Sequence, residues 1–368
     1  MTNMSNLPRK IAEEILSRVP VKCLRAVRLT CKKWNTLSKD MRFITKHVDR
    51  AKQEAAKKKE FMLIMMINFR VYLMHVNVHN NVGPCMRCEG KFTSLDELVD
   101  INRVFLSDGL LLSISKDCTK LMAWNPYSGK SRWIEFESSP DLMEIYMYAL
   151  GYEKSNDSCN SYKILRFVEN RSCFEYKIYD FNYDSWRVLD ISLYDKIYKI
   201  AHHKRGVSLK GNTYWFGKSR YGSDVFLVCF DFTSESFGPP LSLPFEYSSA
   251  SSVLSLSRVR EEQLAVMLLR FGEFTMDIWI TTRIEPSAVS WNSEVFLAVN
   301  LRQVPFNGIR FEGASFFIDE EESFVVVFDN NSIAYIVGVD GTIKKEYFKL
   351  SKRLCCPIAC SYVPSLVL

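Results

Sequence analysis

Two stretches of different character predict an α+β, multidomain chain, with a small helical module ahead of a long all-β region. Three observations carry this. Apolar residues recur at helical spacing over the first fifty or so of the 368 residues. From Phe61 onward they recur instead in short runs rich in aromatic and β-branched residues, separated by Gly, Asn, Asp, Ser and Pro. Within that second region one strand–turn–strand unit returns about every fifty residues.

The helical module opens on Leu7-Pro8. A proline suits the first turn of a helix, where its missing N–H costs nothing, and Ser5 and Asn6 stand upstream as caps. Ile11, Ile15, Leu16 and Val19 fall on one face at spacings near 3.6, and Pro20 blocks further propagation. Leu24, Val27 and Cys31 make a second stripe, and Trp34, Leu37 and Met41 a third. Three helices of about ten residues bury little surface by themselves, so the leftover apolar face is a candidate docking surface. Periodicity alone equally allows a small helical cap packed on the following domain, with Leu7 and Ile15 as ordinary core.

Leu7-Pro8, the run from Ile15 to Pro20, Leu24, and Cys31 with Trp34 resemble an F-box. Cys23 stands where that family often has serine or aspartate, and Thr30 where it often has valine. The resemblance implies docking onto a Skp-type adaptor, and through it to cullin and RING subunits of a ubiquitin ligase. Leu7, Pro8, Ile11, Ile15, Leu16, Val19, Pro20, Leu24 and Trp34 would make the adaptor contact. The F-box would span residues 1–45, a connecting helical segment 46–60, and the β region 61–368.

Composition fits a folded chain that reads as cytoplasmic or nuclear. It is 47% hydrophobic and 24% charged, and aromatics at 13% favour strands. The residues from Met1 to Pro8 are polar and carry no secretory pattern. The strongest apolar run, Phe61 to Ile67, is far shorter than the roughly twenty residues of a membrane helix. Eleven irregularly placed cysteines fit reduced thiols. Without export, the sequons at Asn156 and Asn170 carry no weight.

The net charge of +6 hides an asymmetry. Residues 1–60 hold 16 Lys and Arg against 6 Asp and Glu, or +10, and the remainder holds 32 against 36, or −4. The basic residues interleave with the apolar stripes in short tracts, which favours an acidic protein partner over nucleic acid.

In the β region, Tyr72, Trp124, Tyr179, Phe230, Trp279 and Tyr335 occupy equivalent places in the repeated unit, separated by 52, 55, 51, 49 and 56 residues. That period predicts an all-β, kelch-like propeller of about six blades, with a large β-sandwich as the alternative. Runs beginning at Gly109, Gly211, Gln263 and Phe324 are taken as inner strands. The strand-like segment from Cys360 to Leu366 is expected to close the ring against the first blade. The region resembles the type 1 F-box-associated domain of plant proteins. The resemblance rests on Trp124-Asn-Pro126, Tyr179-Asp-Phe181 with Ser185-Trp-Arg187, Gly206 to Phe216, Cys229 to Thr233, Arg260 to Val266, Ile278 to Thr282, Ser315 to Glu320, and the ending Ser361 to Leu366.

Motifs for chemistry are sparse. Cys85 and Cys88 form one C-x-x-C, short of the four ligands of a structural zinc site unless Cys355, Cys356 or Cys360 joins them. His202-His203 lies among Lys204 and Arg205 and reads as a loop, and Asp319 to Glu322 as a solvated turn. No phosphate-binding loop, G-x-S-x-G or H-E-x-x-H occurs. No catalytic residue, metal or cofactor is expected, and neither nucleic acid nor membrane is expected as a partner. The resemblance therefore implies a non-catalytic substrate-recognition subunit of an SCF-type ubiquitin ligase, whose target is unknown. Loops 153–161, 217–224 and 244–252 are its candidate contacts. Alternatives are an adaptor-binding scaffold without degradation and a propeller-fold metal enzyme.

Overall fold

The computed structural model describes residues 7–19, 21–38, 40–58, 60–67, 69–77, 85–91, 100–126, 130–136, 146–154, 160–169, 174–191, 198–200, 205–247, 252–303, 315–321, 323–328, 333–347 and 358–362. Four helices open the chain: α1 (Arg9–Ser17), α2 (Val21–Thr30), α3 (Lys32–Leu37) and α4 (Met41–Lys58). Pro8 is the N-cap of α1 and not part of its first turn; its carbonyl accepts from Ile11 and Ala12 N–H at 3.1 and 3.0 Å. The helix stops at Ser17, with Arg18 as its C-cap, three residues ahead of Pro20. A proline disfavours helical backbone in the residue before it, so the end falls early. Ser5, Asn6 and Pro20 lie outside the described residues.

The third expected helix is two elements. Cys31 caps α3 by accepting the Trp34 N–H at its sulfur, and α4 runs without a break through the boundary drawn at residue 45. Ala12, Leu16, Trp34, Leu37, Phe43, Ile44 and Val48 form the core of this bundle.

Beyond α4 the described residues are β-strands and their connections, with one short 3-10 helix at Leu301–Gln303. They form six antiparallel sheets. Sheet 1 holds β1 (Glu60–Ile67), β2 (Arg70–Asn77), β3 (Cys85–Lys91) and the last strand of the chain. Sheet 2 holds β4 (Ile101–Ser107), β5 (Leu110–Ser115), β6 (Leu121–Trp124) and β7 (Ser131–Ile134). Sheet 3 holds β8 (Met147–Glu153), β9 (Ser161–Glu169), β10 (Phe174–Asp180) and β11 (Ser185–Val188). Sheet 4 holds β12 (Tyr198–Ile200), β13 (Val207–Leu209), β14 (Asn212–Ser219), β15 (Val225–Asp231) and β16 (Ser236–Phe237). Sheet 5 holds β17 (Ser252–Val259), β18 (Gln263–Arg270), β19 (Thr275–Glu285), β20 (Ala288–Trp291) and β21 (Leu297–Asn300). Sheet 6 holds β22 (Ser315–Asp319), β23 (Phe324–Phe328), β24 (Ile333–Gly338) and β25 (Ile343–Tyr347).

The last strand, β26 (Ile358–Ser361), returns to sheet 1 and pairs antiparallel with β1, Leu63 opposite Ser361 and Met66 opposite Ile358. This closes the ring as the sequence predicts; residues 363–368 lie outside the described part.

One apolar cluster fills each seam between neighbouring sheets, which makes the array a propeller and not a sandwich. The clusters join sheets 1 and 2, 2 and 3, 3 and 4, 4 and 5, 5 and 6, and 6 and 1. The six aromatics spaced at about fifty residues all fall on the third strand of their sheet, and each enters a different seam: Tyr72, Trp124, Tyr179, Phe230, Trp279 and Tyr335. The strands taken as inner are a correction: β5, β14, β18 and β23 are second strands, flanked on both edges. A strand paired on both sides and covered on both faces reads as a continuous apolar run, as Phe324–Phe328 does; Leu110–Ser115 is likewise buried throughout, with serines at 113 and 115.

Two close approaches fix the seam between sheets 3 and 4. Gly211 has φ +86°, and a Cβ there would stand 2.7 Å from the Tyr152 carbonyl. A Cβ on Gly151 would fall 2.2 Å from the Phe232 ring and 2.3 Å from the Gly211 carbonyl, which itself accepts the Tyr152 N–H at 3.0 Å. The ring is also bridged across its middle. Arg258 at the end of β17 pairs at 3.1 Å with Asp108, just past β4, between sheets three places apart. Arg205 donates to the Val104 carbonyl from sheet 4 to sheet 2.

Candidate protein-interaction site

The surface of α1 divides along its length. Ala12 and Leu16, four apart, turn into the bundle and are fully buried. Ile11 and Ile15, also four apart and 100° round the helix, stay 49% and 41% exposed. Pro8 is exposed beside them, and Leu29 on α2 is 84% exposed. Leu7, Val19, Val27 and Cys31 are half-buried against the bundle core. Of the expected contact set, Leu16 and Trp34 are buried in the bundle core and not part of the exposed surface. The side chains of Pro20 and Leu24 lie outside the described residues. Leu29 was missed because it stands off the stripe of α2, and its exposure is visible only once the helices pack.

Ion pairs set the charge of this surface. Arg9 bonds Glu13 at 2.8 Å and Asp40 at 2.5 Å. Glu14 accepts from Arg18 at 2.8 Å and from Arg50 at 3.3 Å, and the Arg18 bond, then the Arg50 bond, hold its carboxyl below the usual range. The buried His47 ring lies 2.8 Å from the Val19 carbonyl and ties α4 to the end of α1. With these acids engaged by arginines, Lys10, Lys32, Arg42 and Lys46 stay exposed on the same helical module. An exposed apolar strip on a basic module suits an acidic partner with an apolar groove.

On the propeller, topology sorts the loops onto two faces. In an up-and-down sheet, first-to-second and third-to-fourth turns lie at one end, and second-to-third turns and crossings to the next sheet at the other. The described ends of loop 153–161, between β8 and β9, stand at the first face, residues 155–159 lying outside the described residues. Loop 217–224 joins β14 to β15 at the second face, and so do the described ends of 244–252 between β16 and β17, residues 248–251 lying outside the described residues. The three candidate loops therefore do not share a face. The helices enter at the first face, since α4 leads into the start of β1, the second strand of its sheet.

Ion pairs between sheets lace that first face. Lys163, 5% exposed at its side chain, bonds Glu153 and Glu235 at 2.7 Å each, and Arg187 bonds Glu235 as well. Burial alone would lower the Lys163 ammonium, but the bonds to the two glutamates outweigh it and hold the pKa above ordinary lysine. Arg260 reaches Glu320 at 3.4 Å and Glu321 at 3.1 Å, while Asp319 accepts the Glu321 N–H at 3.0 Å. Glu320 and Glu321 thus lie in a turn and are tied to a neighbouring sheet, whereas Asp319 is the buried last residue of β22, which corrects the reading of the whole run as a solvated turn; Glu322 lies outside the described residues. A polar cavity of about 610 Å³ opens between sheets 4 and 5, with Lys154, Lys210, Arg260 and Arg283 among its walls.

Cys85 and Cys88 fall on β3, His202 and His203 outside the described residues, and no three His, Cys, Asp or Glu side chains among the described residues converge as metal ligands. No helix among them is long and apolar enough to cross a membrane.

Comparison with known proteins agrees with this division. Residues 4–46 match the family model for the F-box domain, and residues 62–368 match that for the F-box associated beta propeller domain. An F-box protein of Arabidopsis thaliana is 48% identical over 389 aligned residues, covering 99% of each chain. An F-box/kelch-repeat protein of the same plant is 45% identical over 401 aligned residues, covering all of both chains.

Proposed function

The chain belongs to the F-box proteins that carry an F-box-associated β-propeller domain, and from that premise we propose that it is the substrate-recognition subunit of an SCF-type ubiquitin ligase. The helical module docks on a Skp-type adaptor, and through it on cullin and RING subunits. The propeller holds a target protein. Chemistry takes place on other subunits; this chain raises the effective concentration of an acceptor lysine near the charged conjugating enzyme.

The observation that carries the reading is the apolar strip of Pro8, Ile11 and Ile15 on α1, left exposed by the bundle's own packing on a module that also exposes lysine and arginine. Burying two isoleucines in an adaptor groove is worth a few kcal/mol at roughly 25 cal/mol per Å². The test is capture of a purified Skp-type adaptor by the full chain, beside an Ile11→Asp/Ile15→Asp double variant and a Leu7→Ala/Pro8→Ala double variant. Binding by the parent protein and its loss in the aspartate variant, with melting retained, is the expected result. A folded parent protein that captures no adaptor refutes the proposal.

A further inference from the structure

Lys199 on β12 and Lys218 on β14 stand directly opposite each other in sheet 4. Both are exposed, and among the described residues neither makes an ion pair or a side-chain hydrogen bond. Like charges directly opposed on neighbouring strands destabilise a sheet. Elsewhere in the propeller such charge is answered: Lys163, Arg258, Arg260 and Arg270 each meet a carboxylate. The two lysines are positive charge that the described fold leaves unanswered.

Their place in the fold surrounds that charge with apolar surface. Val225 on β15 lies opposite Lys218 and packs against the apolar cluster between sheets 4 and 5. Cross-strand partners share a face, so both lysines lie on the side of sheet 4 that meets sheet 5, at the second-face end of the seam. The turn from β14 to β15 carries Tyr221, 89% exposed, and the turn from β18 to β19 carries Phe271 and Phe274, 42% and 50% exposed. Three exposed aromatic rings thus sit on same-face tips of two adjacent sheets, the pattern of an interaction surface. The charge of the two tips differs. Arg270, at the end of β18, is engaged by Asp277 and Glu273, whereas the end of sheet 4 sets Lys199, Lys218 and Arg220 against Asp224.

We propose that the second-face end of the seam between sheets 4 and 5 is where the propeller holds its target, and that it takes an acidic protein segment bearing a large apolar side chain. Carboxylates of the segment lie against Lys199 and Lys218, and its apolar side chain packs on Tyr221, Phe271 and Phe274. The inference rests on the reading of the propeller as the target-holding part. The helices enter at the opposite face, so a segment bound here leaves the adaptor surface open. A nucleic-acid strand fits less well: Asp224 and Glu273 stand in the same two turns, and residues 61–368 hold 32 Lys and Arg against 36 Asp and Glu.

The probe is a display library of random peptides of about twelve residues, selected on the full chain, with the enriched peptides then synthesised and titrated. Enrichment of aspartate and glutamate around an aromatic or aliphatic residue is expected. A Lys199→Gln/Lys218→Gln variant and a Tyr221→Ser/Phe271→Ser/Phe274→Ser variant are each expected to weaken these peptides by at least about tenfold while capturing adaptor as the parent does. Lys218→Glu turns the opposed pair into an ion pair. It is expected to melt no lower than the parent and yet lose the peptides, a combination that a purely structural role for Lys218 does not produce. No enrichment, enriched peptides without acidic bias, or equal binding by the double-lysine variant overturns the proposal. Tighter binding of a single-stranded oligothymidine than of any peptide gives the surface to nucleic acid and overturns it as well. The two readings fail separately: adaptor capture without acidic-peptide binding removes this site alone, and peptide binding without adaptor capture removes the ligase reading alone.

Discussion

Ile15 and Leu16 are neighbours in the chain with opposite duties: one is 41% exposed and the other fully buried. Substitutions should separate them. Ile15→Asp is expected to leave stability within about 0.5 kcal/mol while abolishing adaptor capture, whereas Leu16→Ala should cost about 2–5 kcal/mol of the bundle's stability. Denaturant titration beside adaptor binding checks both. At the same scale, Gly211 holds φ +86° with Tyr152 against it. Gly211→Ala should destabilise the propeller by about 2 kcal/mol or more, measured as a lower urea midpoint, because strain and a backbone clash act together.

At the scale of elements, β26 supplies the inner strand of sheet 1 from the far end of the chain. Its backbone pairs with β1, and Tyr362 just beyond it packs in the cluster between sheets 1 and 2, its N–H donating to the Met62 carbonyl at 2.8 Å. Deleting residues 358–368 should bare that edge, lower the melting temperature by at least about 10 °C and increase aggregation, as read by scanning calorimetry and light scattering. The second strands were mistaken for inner ones on the same scale. Strand order inside a sheet is set by pairing partners, and a buried second strand has the same composition an inner strand was expected to have. The inner strands border the bridged middle of the ring and carry polar residues such as Ser208, Ser257 and Arg258.

Over the whole molecule, interlocking charges on the first face make stability depend on pH. Burial alone would raise the Glu235 carboxyl, but bonds from Lys163 and Arg187 outweigh it and hold the folded-state pKa below the usual carboxylate value. Its contribution is therefore fully present above the ordinary glutamate pKa and is lost as pH falls through the depressed folded value. The gap in melting temperature between the parent protein and Glu235→Gln should be widest near neutral pH and close as pH drops below about 4. Melting curves across that range check it.

How much was legible in the sequence follows from which interactions are local. The switch from helical to alternating periodicity located the two parts, and the spacing of Tyr72, Trp124, Tyr179, Phe230, Trp279 and Tyr335 gave about six blades, because each blade repeats the same short-range demand for an aromatic in its seam. Ring closure was readable too, since an unpaired terminal strand beside an open edge has one obvious partner. The division of α1 into inner and outer stripes was not, because a 3.6-residue period marks an apolar side without saying which edge of it meets α3 and α4. Nor was the opposed pair of lysines in sheet 4. Lys199 and Lys218 come from different strands, and only the register of β12 on β14 sets them face to face beside the turn that carries Tyr221. Local propensity and periodicity are properties of neighbouring residues and belong to the sequence. Which apolar face stays uncovered, and which charges converge, depends on groups far apart in the chain and is decided only when the sheets close into a ring.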